Sequence, residues 1–331
     1  MKSSSKGIYA ALASAFFLGM APVFGKQAIL LGMSPLAVVA LRTILAALLL
    51  LGVMAIFYRS YLFIYPAGLL GCLLAGWING VGSLFYYSSL GRIDAGLGQL
   101  LYTLYPLFLV FWLSLDNQPP SKLTLFRVLV ALPALYLLIQ VGDRNIDLIG
   151  VGEMLIASAL YALHLPINQR VLYEMPAPTV TVYTLLAMSA VVVPTFLFSG
   201  ALTVQANPID ASLVASSPDL LSSFKVLWWP IFGLTMVTFL SRITLFLGVK
   251  HLGGMQTALL GVSEVLVAIT FAQLWLNERF TTQQWIGALL LIISLALVGL
   301  EKAPPKKQST GGFLSWLRPA GLPTDSWQPH D

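Results

Sequence analysis

Charge is what this sequence has least of. Of its 331 residues only 9% are charged and 58% are hydrophobic, whereas a soluble domain carries roughly 25% charged residues to cover its surface. Eighteen Lys+Arg and thirteen Asp+Glu cannot clothe a soluble body of 35.9 kDa. A mean hydropathy of +0.85 excludes disorder as well, which needs low hydrophobicity and high net charge. Cysteine is nearly absent: Cys72 stands alone. That excludes an intrachain disulfide framework and any multi-cysteine metal site. Enzyme signatures are missing too. There is no His-Glu-x-x-His, no pair of intramembrane aspartates, no Gly-x-Ser-x-Gly, and no Gly-x-x-x-x-Gly-Lys-[Ser/Thr] loop for a nucleotide. The chain reads as a non-enzyme that needs no metal and no cofactor.

What is abundant is apolar sequence. A helical span needs about 20 mostly apolar residues to cross the hydrocarbon of a bilayer. Ten such runs are predicted, near 8–30, 35–57, 65–88, 95–115, 124–141, 150–169, 178–199, 228–248, 254–275 and 283–300. The expected class is therefore an all-α polytopic membrane protein. Residues 200–226 read as a longer polar connection and 301–331 as a mostly disordered tail. With the N-terminus placed in the cytoplasm, eleven Lys/Arg fall on inner loops and tails and four on outer loops. That is a positive-inside bias, and it puts both termini inside, with the plasma (inner) membrane expected. The pI of 9.3 and the +5 charge thus signal orientation, and no nucleic-acid partner is implied.

The chain also resembles itself. Shifted by 143 residues, Gly7 falls on Gly150, Leu12 on Leu155 and Pro35 on Pro178; shifted by 160, Phe111 meets Phe271 and Asn117 meets Asn277. Two halves follow, 1–142 and 143–300, each with five spans. An odd number per half inserts the second half upside down, the inverted topology frequent in secondary transporters. Gly32-Met33-Ser34-Pro35-Leu36-Ala37 with Leu41-Arg42 resembles the second helix of EamA-type members of the drug/metabolite transporter superfamily. Ser263-Glu264-Val265-Leu266-Val267-Ala268, Leu276-Asn277-Glu278-Arg279 and Gln284-Trp285-Ile286-Gly287 resemble the end of that family's second repeat. Glu264-Val265 stands where the family often has Glu-Pro. The resemblance implies a ten-helix transporter with a central cavity lined by the first four helices of each repeat, and it supplies no substrate.

Ionisable groups inside spans are costly and mark cavities, pairs or pathways. Glu264, Arg242 and His164 are expected at compatible depths. In one reading Glu264 or His164 exchanges a proton while Arg242 binds an anionic substrate group. In the other, Arg242 and Glu264 merely lock two helices. Lys26, Arg42 and Glu153, each within about 10 Å of the outer boundary by helical rise, are outer-gate candidates or structural anchors. Trp77, Asn79, Tyr86, Tyr87, Gln99, Tyr102, Asn168 and Gln256 are candidate lining residues, able to stack on a substrate or fix its polar groups.

The expected function is a secondary transporter that moves a small metabolite (amino acid, nucleoside-like or drug-like) by alternating access, as an exporter. Its partners would be that small molecule, the lipid bilayer and protons as the candidate coupling ion, with a homodimer as the candidate assembly. A channel or a non-transporting membrane receptor is the rival reading, and a membrane-embedded enzyme a more distant one.

Overall fold

The computed structural model describes residues 2–115, 122–139, 147–172, 175–199, 220–252 and 263–297. The tail 301–331, Gln256, residues 200–219 of the expected polar connection and the first part of the ninth expected span lie outside the described residues.

Among the described residues there are eleven α-helices and no strand. The first half of the chain forms α1 (Lys2–Leu30), α2 (Pro35–Phe57), a single 3-10 turn (Arg59–Leu62), α3 (Pro66–Arg92), α4 (Ala95–Tyr102), α5 (Tyr105–Leu115) and α6 (Lys122–Ile139). The second half forms α7 (Leu148–Leu172), α8 (Ala177–Phe198), α9 (Leu220–Leu252), α10 (Ser263–Leu276) and α11 (Thr282–Ala296). Six segments are long and apolar enough to cross a membrane: within α1, α2, α3, α7 and α8, and Ala95–Trp112 across α4 and α5. Shorter apolar helices occupy Leu129–Leu138, Ser263–Leu276 and Thr282–Leu295. Large apolar side chains such as Phe57, Phe111, Leu129, Phe198 and Leu274 are exposed, as a surface facing lipid allows.

Local chemistry sets several boundaries. Ser34 accepts from the Ala37 N–H at 3.2 Å, with Pro35 at the first helical position of α2. Thr281 and Gln284 form a reciprocal capping box at α11. Asn277 takes φ 55° just after α10, the left-handed stop that Asn tolerates. Two boundaries differ from the sequence expectation. The expected fourth span is broken at Thr103-Leu104, because Pro106 has no N–H to give the carbonyl four residues back, at Tyr102. Helix α9 begins at Leu220, inside the expected 200–226 connection, and runs through Pro230.

The helices of the two halves pack chiefly on each other. Helix α1 lies along α9 and α10; α3 lies along α7 and α8; α2 meets α8; α6 meets α11; and α7 meets α4 and α5. Small residues let backbones approach. A Cβ at Gly19 of α1 would meet the Glu264 carbonyl of α10 at 2.5 Å, and one at Gly76 of α3 would meet the Thr184 carbonyl of α8 at 2.5 Å. The main core cluster draws on both halves, from Met20 and Leu100 to Met154, Leu234, Val265 and Leu291.

Candidate functional site

Where α3 and α4 meet α7, and α4 meets α10, charged and aromatic side chains converge inside the helix bundle. Gln99 of α4 donates its amide N–H to Glu264 Oε1 at 2.8 Å, and the Tyr86 hydroxyl of α3 donates to Gln99 Oε1 at 3.2 Å. Aromatic rings continue the cluster. Tyr86 and Tyr102 have centroids 4.9 Å apart, Tyr102 and Tyr161 5.1 Å, and Tyr161 and His164 4.8 Å; Tyr105 meets Tyr161 at 5.1 Å. The His164 Nδ1–H donates to the Tyr161 carbonyl at 2.6 Å, since a carbonyl can only accept. This fixes the ring and leaves Nε2 as the nitrogen that can face another group.

Two arginines flank this set. The Arg42 guanidinium lies over the Tyr87 ring at 5.1 Å, a cation–π contact. Arg242 is within electrostatic reach of Glu264, His164 and Tyr161. Yet neither arginine has a carboxylate within 4.0 Å among the described residues, where the ion pairs are Arg92–Asp147 and Arg92–Glu153. The Nε atoms of both arginines are buried without a hydrogen-bond partner. Such groups are expected to be satisfied in a finished interior.

The break after Tyr102 is part of the same construction. Its carbonyl, deprived of a helical partner by Pro106, accepts from the Ser158 hydroxyl of α7 at 2.9 Å. The Tyr102 ring is thereby held beside Tyr161.

The other sequence candidates lie elsewhere. Trp77 is 61% exposed and, nine residues from Tyr86, sits on the opposite face of α3. Asn79 shares the Tyr86 face two turns away, and its amide points to Met188 Sδ at 3.7 Å. Lys26 donates to the Leu90 and Ile93 carbonyls at 2.6 and 2.8 Å, capping the end of α3. Glu153 pairs with Arg92 at 3.5 Å and accepts from Ser88 at 3.0 Å. Arg42 therefore belongs with the aromatic cluster, while Lys26 and Glu153 belong to the polar end of α3. At that end Glu278 accepts from the Ala95 and Gly96 N–H groups at 2.6 and 2.8 Å, where a carboxylate complements a helix N-terminus. Burial pushes the Glu278 carboxyl up, against the opposing pull of the Gly96 and Ala95 N–H groups.

Tyr161 and Tyr105 are the site residues that sequence reasoning did not single out. The available signal was the i, i+3 spacing of Tyr161 and His164, which stacks them on one face of α7.

The match to known proteins now has a structural setting. The profile of the EamA-like transporter family fits residues 5–140 and again 148–300. The chain belongs to the EamA-like transporter family. The resemblance read from the Ser263–Ala268 and Leu276–Arg279 segments is thus borne out, and this EamA-like chain is an integral membrane protein. It is similar to the "Uncharacterized transporter YcbK" of Bacillus subtilis (strain 168), 24% identical over 212 residues. That alignment covers 62% of this chain and 63% of the relative, so the chain spans under two thirds of that protein's length. A solved structure titled "Crystal structure of protein" shares the fold with a TM-score of 0.56 at 14% identity, over 89% of this chain and 97% of the other.

Proposed function

We propose that this EamA-like protein is a secondary carrier that exports a small amphiphilic metabolite by alternating access. One observation carries the reading: both family repeats contribute to a single cluster inside the helix bundle. Arg42, Tyr86, Gln99 and Tyr102 come from the first match, and Tyr161, His164, Arg242 and Glu264 from the second. A site shared by two halves is exposed to one side or the other as they rock.

The halves are 1–142 and 143–300, with ten spans, inverted relative to each other, both termini in the cytoplasm and the plasma membrane as the host. The packing supports this through its reciprocity. Exchanging the halves maps α1 against α9 onto α7 against α3, and α1 against α10 onto α7 against α4 and α5, while α2–α8 and α6–α11 map onto themselves. Protons are the coupling ion in this reading, and Glu264 is the exchanging group. Its partner is an amide rather than an arginine in contact, so the carboxyl can gain and lose a proton without breaking an ion pair.

Saturable counterflow of a substrate in proteoliposomes tests the carrier, because a channel gives flux that does not saturate. Glu264→Gln should abolish uptake driven by a pH gradient while leaving exchange of substrate. Retained pH-gradient coupling in that variant, at normal expression, sinks the proton role.

A further inference from the structure

We infer that this cluster inside the helix bundle binds an organic monoanion with a flat aromatic body, an arylcarboxylate by chemical class. This rests on the carrier reading for transport, but the binding argument is independent of turnover. It begins with charge. Arg42 and Arg242 bring two positive charges and the ionised form of Glu264 one negative, so in that form of the site the three groups sum to one positive charge. Among the described residues both guanidinium Nε atoms are buried and unpartnered, and no described carboxylate lies within 4.0 Å of either arginine. Glu264 is already engaged by the Gln99 amide at 2.8 Å.

A guanidinium inside the helix bundle whose Nε is buried and unpartnered calls for an acceptor. A monoanion brings the set to neutrality. A neutral or zwitterionic ligand leaves the excess in place, a cation adds to it, and a dianion overshoots. The planar fork of a guanidinium matches a carboxylate in two parallel hydrogen bonds.

The body of the ligand follows from the aromatic rings of the cluster. Tyr86, Tyr102, Tyr161 and His164 form a continuous run of rings with spacings of 4.9, 5.1 and 4.8 Å. Their planes are inclined to one another by 43° to 75°, so the rings present both faces and edges. A flat ring makes offset or edge contacts with such rings. A flexible aliphatic chain gains only its buried area. The Tyr86–Gln99–Glu264 hydrogen bonds give a polar substituent somewhere to donate or accept.

The test is calorimetric binding to the purified full chain in detergent, where no transport is needed. The probes are 4-hydroxybenzoate, 4-hydroxybenzamide, tyrosine, tyramine and hexanoate. The acid should bind at least tenfold more tightly than its amide, the zwitterion, the cation or the aliphatic anion. Arg42→Gln and Arg242→Gln should each erase at least tenfold of the preference for acid over amide. An amide that equals the acid, a zwitterion that binds best, or no binding of the acid overturns the inference. Should either variant fail to fold, the ranking on the unaltered protein decides alone. Counterflow of whichever probe binds then judges the carrier separately: a bound acid without saturable counterflow defeats the carrier and leaves the ligand class standing.

Discussion

Tyr102 draws its position from residues that are not aromatic at all. Pro106 strips its carbonyl of the helical donor, and Ser158 on α7 replaces that donor at 2.9 Å. Removing the hydroxyl leaves a buried acceptor unsatisfied, a loss of about 1–3 kcal/mol. Ser158→Ala should therefore lower the melting temperature in detergent and weaken ligand binding, whereas Ser158→Thr, which keeps the donor, should largely preserve both. Glu278 makes a second single-residue case, with a sign that pH can read. Its carboxyl is raised by burial, ahead of the lowering by the Gly96 and Ala95 N–H groups, with Asp94 raising and Lys26 lowering it further. The folded state then holds the proton to higher pH than the unfolded chain, so this contribution is full below the ordinary value of 4.5 and declines as pH rises through the raised one. Thermal melts across that window should show wild type losing stability relative to Glu278→Gln as pH rises. Parallel pH curves would contradict the assignment.

Helices here are positioned by what they omit. Gly76 brings α3 onto α8 so closely that a Cβ would stand 2.5 Å from both the Thr184 carbonyl and the Ala187 Cβ. Gly76→Val should cost about 1–3 kcal/mol by overpacking, seen as a lower melting temperature, while Gly52→Val, with nothing within 4 Å of its Cβ position, should be nearly neutral. The contrast marks how far sequence carries. Spans are legible because hydropathy is a local sum, whereas the break before Pro106 is not, because the Tyr102 carbonyl it frees finds its new donor, Ser158, on another helix. Glu264, Arg242 and His164 could be ranked by depth alone, since rise along a helix is fixed. Tyr161 was not legible in the same way. Its role depends on how α7 is rotated against α4, and helices apolar on nearly every side carry little periodic signal for rotation. The same lack hid the separation of Trp77 from Asn79, two residues apart on different faces of α3. Glu153 and Lys26 read as mutual gate candidates, but the partners that claim them, Arg92 and the Leu90 and Ile93 carbonyls, lie at a helix end reached only by packing.

Across the whole molecule, the described polar contacts between the two halves are densest at one end of α3. Arg92 of the first half pairs with Asp147 and Glu153 of the second at 3.1 and 3.5 Å. Ser88 and Ser89 donate to Glu153 and the Gly150 carbonyl at 3.0 and 2.6 Å. Glu278 reaches back to cap α4. These contacts are polar, short and few, so they can be exchanged for water at modest net change, as a gate that opens in each cycle requires. The hydrophobic packing of α6 on α11 offers no such exchange. If alternating access separates the halves at this end, holding α3 to α7 there must stop transport without touching the ligand site. Ser88→Cys with Glu153→Cys places two thiols at positions whose side chains now meet at 3.0 Å, and the native thiol is out of reach, because Cys72 is fully buried. A short bis-methanethiosulfonate, which joins the two thiols through disulfides, should reduce counterflow at least tenfold, with recovery on reduction, and leave ligand binding in detergent within about twofold, a small change in binding free energy. Full counterflow in the cross-linked protein would mean that this end does not open during the cycle.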